Sequence, residues 1–414
     1  MKRSRLSILA LLVVLTIDAV AQNDTILVQN KDSVAYRYTP ISVPTTNPRM
    51  RKWRDAFVRY ITDSATDNSF DKAIDFSVVP TIYYAPSTSL GLVVMANGLY
   101  RLDKSDRTLP PSNVSIFATA SITGFYRVGV SGNNIFAGDN QRIIYNAEFY
   151  SQPIAFWGID YDASMTNSPL NYLASRTIVE AKFLQRAASD LYVGVGADFN
   201  YHFARFDKRI GKGSYSSEAE LLARLNGQGV NYNATGISLF VEYDSRDFIP
   251  SPQRGLYIAV EGKVRPKGMS NIGRTVWMGR VSANYYQRLW RGALLAFDLQ
   301  GEYNSKGTPW VYNASCTLRG YYAGRFNDLC AITLQAELRQ TLFERFGVVA
   351  WGGAGNLFHD FRSFEWGSTL PTYGVGVRYI VKRGVTLRFD YGFGSRDNRG
   401  KLIHGAVFSL NEAF

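Results

Sequence analysis

Apolar and polar residues alternate along most of this chain, in segments of roughly ten residues that begin near Asp75. Clear examples run from Leu191 to His202, from Leu295 to Glu302 and from Val385 to Gly392. Because successive side chains of a β-strand point to opposite faces, each segment has one apolar face and one polar face. This pattern is typical of strands that face lipid on one side and water on the other. The strands of a soluble β-sandwich also alternate apolar and polar residues. The lengths of the connections between segments must therefore distinguish the two folds.

The lengths of the connections favour a membrane barrel. We count sixteen segments, which begin near Asp75, Leu90, Val114, Phe125, Arg142, Thr177, Leu191, Gly236, Leu256, Val276, Ala293, Cys330, Phe346, Tyr373, Val385 and Gly405. Connections after even-numbered segments are generally short, whereas the long ones, at about 151–172, 207–234, 305–328 and 355–371, follow odd-numbered segments. Outer-membrane barrels combine an even strand number with short periplasmic turns and long external loops. We therefore predict an all-β fold, a 16-stranded antiparallel transmembrane β-barrel over residues 75–414.

The first residues predict export. Lys2, Arg3 and Arg5 precede an apolar run over 6–17, and small residues at 19–21 form a cleavage site. These features are those of a secretory signal peptide, which we place at residues 1–21 and expect to be cleaved. Together with the barrel pattern, the signal predicts a location in the outer membrane of a Gram-negative cell.

Residues 22–74 are predicted to form a periplasmic linker and a short amphipathic helix. The helix starts with Asn47 as N-cap and Pro48 at its first position. Its apolar face carries Met50, Trp53, Phe57 and Ile61 among basic residues. Such a helix either lies on a lipid surface or across the lower mouth of the barrel, or it only tethers the chain.

Composition and motifs exclude several classes of function. The formal net charge is +12, but export and the lack of a compact Lys/Arg run argue against a nucleic-acid partner. We find no G-x-S-x-G, P-loop or paired-ligand motif, so we expect no enzyme activity, no metal and no cofactor. The sequence does not decide whether Cys316 and Cys330 form a disulfide, because it does not give the Cα separation that the bond requires.

One loop carries unusual residues. The stretch CTLRGYYAGRFND places Arg319, Gly320 and Tyr321 between the eleventh and twelfth segments. This R-G-aromatic motif resembles that of the BamA/TamA family of outer-membrane assembly barrels, also called bacterial surface antigens. Further matches lie in the turn motif before the ninth segment and in later segments, and the likeness covers about 75–414. They are Asp244, Arg246, Asp247, Pro250 and Gly255 in the turn, Glu337 and Arg339, then Arg378, Arg388 and Asp390.

The resemblance implies a docked loop. In this family the sixth external loop folds back into the barrel, where its arginine pairs with acidic residues of the inner wall. By alternation, the five residues of the later segments point inward, and Glu337 is the partner that we expect. Gly353 stands where the family commonly has an aspartate, and Tyr321 or Tyr322 could stack on a guanidinium. The alternative is a solvated loop arginine.

The resemblance also implies a function. Family members help to insert or translocate proteins, and they carry periplasmic POTRA domains, for which residues 22–74 leave no room. We therefore expect a POTRA-less relative that acts on proteins or lipids with a separate periplasmic or outer-membrane partner. Its weak seam would join the first and last strands, where Pro80 cannot donate a ladder hydrogen bond and the chain ends on Phe414. The alternative is a gated or plugged pore, or a structural surface protein.

Overall fold

The computed structural model describes residues 29–30, 33–34, 69–85, 89–106, 109–205, 218–247, 249, 251–343, 345–382, 385–410 and 414. The chain divides into two compact units, Met1–Asp67 and Asn68–Phe414. Within the first unit, Gln29–Asn30 pairs with Ser33–Val34. The predicted signal peptide and the helix that starts at Asn47 lie outside the described residues and stay predictions.

The second unit is one sheet of sixteen strands, in which each strand pairs with the next along the chain. The strands are β1 (Asp75–Ala85), β2 (Ser89–Tyr100), β3 (Ser112–Ser121), β4 (Tyr126–Ile135), β5 (Gln141–Phe156), β6 (Leu170–Ala188), β7 (Leu191–Arg205), β8 (Asn231–Asp244), β9 (Gly255–Arg265), β10 (Val276–Arg288), β11 (Ala293–Asn304), β12 (Cys330–Thr341), β13 (Phe346–Phe358), β14 (Leu370–Lys382), β15 (Val385–Arg396) and β16 (Leu402–Leu410). All pairings are antiparallel. The predicted fold class and the number of strands are confirmed.

The largest difference from the sequence prediction is at β6. This strand begins at Leu170, well before the predicted start near Thr177, because it pairs with β5 as far as Phe156. Side chains on both faces of this extension are covered, as Tyr172, Leu173 and Ala174 show. A strand end that is buried on both faces does not alternate, so the pattern could not reveal it.

The two faces of the sheet differ as the alternation predicts. On β12, Ile332, Leu334 and Leu338 are exposed on the outward face. The side chains that alternate with this row point inward and are buried, namely Thr333, Gln335, Glu337 and Arg339. An exposed apolar face and a buried polar face are the arrangement of a barrel whose outside meets lipid.

β1 and β16 are the two ends of the sheet, where the sequence predicts the seam. No pairing joins these two strands among the residues that the structure describes. Pro80 lies within β1 and pairs on one side with Val94 of β2. Within sheets, proline is mostly confined to edge strands, which agrees with the place of β1 at the end of this sheet.

The long connections lie at one end of the sheet and pack on one another. Loop 3 (157–169) contains α1, Tyr161–Thr166, and loop 4 (206–230) contains α2, Glu218–Arg224. Both contact loop 6 (305–329): the Ser164 hydroxyl donates to the Arg325 carbonyl at 2.8 Å, and the Trp310 indole donates to the Gly229 carbonyl at 2.9 Å. None of the helices in the described ranges is long and apolar enough to cross a membrane.

This fold predicts heat-modifiable migration. A barrel with its backbone groups paired resists detergent until it is boiled. We expect unheated and boiled samples of the mature protein to migrate differently on denaturing gels, with a β-type circular dichroism spectrum. Identical migration together with a helical spectrum would contradict the fold.

Candidate functional site

Loop 6 reaches back between the strands as a narrow hairpin. Its two arms pair where Ala314–Ser315 meets Asn327–Asp328, and the Cys316 amide donates to the Phe326 carbonyl at 3.1 Å. The hairpin carries Arg319, Gly320 and Tyr321 at its tip. Arg319 and Tyr321 are both buried, at 8 % exposure each. The tip therefore touches the inner wall and is not a solvated loop.

Arg319 binds the inner faces of three strands. Its Nη1 donates to the Glu337 carboxylate of β12 and, at 3.2 Å, to the Asp390 carboxylate of β15. The guanidinium also lies 4.0 Å from the centre of the Trp351 ring on β13. The structure thus places Arg319 against the predicted partner Glu337, and Asp390 supplies a second carboxylate.

The remaining predicted luminal residues surround these two carboxylates. Arg339 donates to Glu337 at 2.5 Å, and Arg378 donates to Asp390 at 2.5 Å. Arg388 Nε lies 3.6 Å from Asp390, and Arg378 Nη2 lies 3.6 Å from Glu337. Glu337 itself is fully buried, at 0 % exposure. We call Arg319, Glu337, Arg339, Arg378, Arg388 and Asp390 the luminal ion cluster.

The register explains why the cluster needs its carboxylates. Arg378 and Arg388 are direct cross-strand partners on the inner face, and like charges in that position repel. Asp390, two residues further along β15, contacts both guanidinium groups and offsets this repulsion. A buried charge without a partner is strongly unfavourable, so the cluster is stable only as a whole. Loop 6 contributes one of its members.

Gly320 allows the loop to touch the wall through its backbone. Its φ of +94° is a conformation that favours glycine. A Cβ at this position would lie 2.8 Å from the Gly392 carbonyl carbon and 2.9 Å from the Phe393 nitrogen, both on β15. Glycine is thus required twice here, once for conformation and once for space.

Tyr321 fixes the tip to the neighbouring strands. Its hydroxyl donates to the Pro371 carbonyl of β14 at 2.6 Å and accepts from the Ser395 amide of β15 at 2.8 Å. The sequence allowed Tyr321 or Tyr322 to stack on a guanidinium, and the ring that lies over Arg319 is that of a tryptophan. Trp351 takes that place against Arg319, while the Tyr322 ring packs 5.2 Å from Trp157 of loop 3.

Sequence reasoning missed Trp351 and Gly392 as partners of the motif. Alternation places Trp351 on the inward face of β13, together with the buried Val349. That signal was available in the sequence. The contact of Gly320 with Gly392 had no signal, because it depends on how far the loop descends.

The turn motif forms a separate unit between β8 and β9. Asp244 accepts from Arg246 through both oxygens, at 2.8 and 3.0 Å, and Asp247 accepts from the Gln253 amide at 2.9 Å. Gly255 has a φ of +117° and leaves no room for a Cβ beside the Ser245 carbonyl. Pro250 lies outside the described residues. These contacts hold a tight turn and do not reach loop 6.

Of the two seam residues, Phe414 approaches the luminal ion cluster. Its carbonyl accepts from Arg339 Nη2 at 3.1 Å, and its ring lies 5.8 Å from the Arg319 guanidinium. Pro80 remains in β1, as described above. The structure thus brings the last residue, but not Pro80, to the site.

The two cysteines are free and buried on opposite faces of the wall. The Cys316 thiol lies inside and donates to the Asn356 carbonyl at 3.4 Å. Cys330 belongs to the outward row that continues through Ile332 and Leu334. Burial raises the pKa of the Cys316 thiol to about 12, which keeps it protonated and unreactive at neutral pH. The sequence did not decide whether these two residues form a disulfide, and in the structure they do not.

We therefore expect neither cysteine to react with maleimide in the folded protein at neutral pH. Both should react after unfolding, because burial alone protects them. The measurement is the mass of the protein after labelling with and without denaturant. A disulfide would leave both thiols unlabelled even in denaturant without reductant, and this result would contradict the placement of the two side chains.

The cluster is suited to holding a loop against the wall. Its carboxylates are shared among guanidinium groups, which are not proton donors at physiological pH. Within the described ranges, no group of three or more His, Cys, Asp and Glu residues is placed to hold a metal ion. The site therefore offers rigid ionic docking between a loop and the wall.

Comparison with known proteins supports the fold. No protein-family model and no curated protein matches the sequence. Among solved structures, the chain is similar to BamA from Haemophilus ducreyi lacking POTRA domains 1–3, with a TM-score of 0.52, 12 % identity and coverage of 81 % of this chain and 70 % of that one. It is also similar to CdiB from Acinetobacter baumannii, with a TM-score of 0.51, 11 % identity, and coverage of 82 % of this chain but only 60 % of that one, less than two thirds. The chain thus has the fold of the barrels of BamA and CdiB.

Proposed function

We propose that this protein is an outer-membrane barrel of the BamA/TamA type that helps to insert or translocate proteins or lipids, working with a separate periplasmic partner. The observation that carries the proposal is the docking of Arg319, Gly320 and Tyr321 on β12, β14 and β15. This docking puts a loop where a pore would need open space. In this proposal, the substrate protein or lipid is therefore handled at the wall of the barrel and does not pass through its lumen.

The seam is the part of the wall that is best suited to open. β1 and β16 are the two ends of the sheet. Pro80 removes one backbone donor from β1. The two edge strands of a sheet can act as templates for another strand. A substrate strand or a lipid could therefore enter between β1 and β16.

In our proposal, loop 6 supports this seam. Asp390 and Gly392, which it contacts, lie on β15, the neighbour of β16. Phe414, beyond the end of β16, lies against Arg339 of the same cluster. In our proposal, docking of the loop holds β15 in place, and the contact of Phe414 with Arg339 breaks when β16 exchanges partners.

Site-specific cross-linking tests the proposal. A photoreactive amino acid would replace Ala406, which is exposed on β16, and in a matched control Ala350, which is exposed on β13. After irradiation of living cells, we expect adducts with other outer-membrane proteins or with lipid from position 406 and few from position 350. Equal adducts from both positions, or none from position 406, would argue against activity at the seam.

The alternative of a plugged or gated pore keeps one observation in its favour. The inner wall carries further ion pairs between residues of the strands alone, such as Arg265 with Asp198 at 2.6 Å and Lys182 with Glu242 at 2.6 Å. Polar walls with charges of both signs also line channels. Conductance in planar bilayers separates the two functions.

A further inference from the structure

Loop 7 (359–369) folds over the outside of the barrel wall. Asn356 of β13 pairs with Ile332 of β12, which belongs to the exposed outward row. Asn356 is nevertheless only 2 % exposed. Its amide nitrogen donates to the Glu365 carbonyl at 2.8 Å and to the Thr369 hydroxyl at 3.0 Å. Loop 7 therefore covers the outward ends of β12 and β13.

An apolar contact supports the same placement. Phe358 pairs with Cys330 one step further along the outward row, and both side chains are buried. The Phe364 ring of loop 7 packs against Phe358, with ring centroids 5.5 Å apart at 71°. The loop is thus fastened to the outer wall by aromatic packing as well as by hydrogen bonds.

The outer side of loop 7 presents aromatic rings to the surroundings. Phe361 is 73 % exposed and Trp366 is 82 % exposed. Phe361 stacks almost parallel on Tyr303 of β11, with centroids 5.6 Å apart at 8°. Tyr303 pairs with Cys330 and so belongs to the same outward face. The exposed rings are therefore continuous with the apolar surface of the barrel.

Loop 7 also contains a hydrogen-bonded turn and exposed charged residues. One Asp360 carboxylate oxygen accepts from the Arg362 amide at 2.9 Å and from the Ser363 amide at 3.0 Å, which closes a tight turn. Asp360, Arg362 and Glu365 are exposed next to the aromatic rings. Charges do not enter the hydrocarbon core, whereas aromatic rings beside charges suit the head-group boundary.

We propose that loop 7 is an interfacial lipid anchor, in which Phe361 and Trp366 enter the head-group boundary of the outer leaflet. This proposal rests on the proposed function only for the location of the barrel in a membrane. The turn at Asp360 holds Phe361, and Trp366 begins a short 3-10 helix, Trp366–Ser368, so both rings lie on ordered backbone. The loop contacts lipid beside the ends of β11, β12 and β13, on the outer side of the wall.

Fluorescence quenching tests the anchor in the full-length protein. The protein would be reconstituted in phosphatidylcholine vesicles with bromine either near the head group or near the end of the acyl chain. The contribution of Trp366 is the difference in emission between the wild type and Trp366→Phe. We expect this contribution to lose more intensity with bromine near the head group than at the chain end, and little with aqueous iodide.

Trp277 provides the matched control, because it is 60 % exposed on the outward face of β10. Its contribution, from Trp277→Phe, should be quenched by brominated lipid whenever the barrel is embedded. Quenching at Trp277 together with iodide access at Trp366 would overturn the anchor and leave the proposed location intact. Protection of Trp366 from both quenchers would also overturn it, since another part of the protein would then cover the ring. A lack of lipid quenching at both positions would overturn the membrane location itself.

Discussion

Gly320→Ala is expected to release loop 6 from the inner wall, whereas Gly324→Ala in the same loop is expected to leave it docked. Both glycines have a positive φ, +94° and +76°, so each alanine introduces about 1–2 kcal/mol of backbone strain. The two positions differ in the room that they leave for a Cβ atom. A Cβ at Gly320 would meet backbone atoms of β15 at 2.8 and 2.9 Å, whereas nothing lies within 4 Å of a Cβ at Gly324.

The buried Cys316 thiol reports this release. In a background carrying Cys330→Ala, we expect maleimide to label Gly320→Ala about tenfold faster or more, because 1.4 kcal/mol of lost docking is a factor of ten in the open population. The Gly324→Ala control should stay much closer to the parent. Equal labelling of the two variants would mean that the contact between Gly320 and Gly392 does not hold the loop.

Glu337→Gln is the second change for which we expect a large effect. Glu337 is fully buried among Arg319, Arg339 and Arg378. Removing one partner of a buried ion pair typically costs about 3–5 kcal/mol, because the remaining charge is left without compensation. Asp390 would then be the carboxylate left to hold the loop arginine. We expect rapid labelling of Cys316 and a lower temperature at which the heat-modifiable band is lost.

Glu302→Gln is the control for this variant. Glu302 also pairs with an arginine, Arg280, at 3.0 Å, but both side chains are partly exposed, so the pair contributes little. Arg319→Ala should behave like Glu337→Gln, and the double variant should be little worse than either single one, as expected for coupled residues. Additive effects of the two changes would show that they act independently and would remove the basis for the luminal ion cluster.

The alternation of the sequence was sufficient to place the strands and the inward charges. Strict alternation exists where one face meets lipid and the other the lumen, which is why Glu337, Arg339, Arg378, Arg388 and Asp390 could be assigned to one face. It failed at the start of β6, where both faces are covered by protein. The register that sets Arg378 opposite Arg388 could not be predicted, because it depends on pairing along the whole sheet.

The docking of loop 6 was predicted only through a resemblance. The residues themselves allowed a solvated Arg319 as well as a docked one. What the sequence could not supply is the depth of the loop, which decides that Gly320 meets Gly392 and that Arg319 reaches Trp351. Likewise, Cys316 and Cys330 are close in sequence, yet they lie on opposite faces of the wall. Cys316 belongs to loop 6, which descends inside, whereas Cys330 belongs to β12 and points outward.

Conductance in planar bilayers tests most directly the claim that docked loop 6 closes the lumen. Purified wild-type protein is predicted to give no steady current, and Gly324→Ala should behave in the same way. Gly320→Ala is predicted to give frequent openings, because its loop leaves the wall. Steady ohmic conductance from the wild type, unchanged in Gly320→Ala, would contradict the claim and identify the protein as a pore.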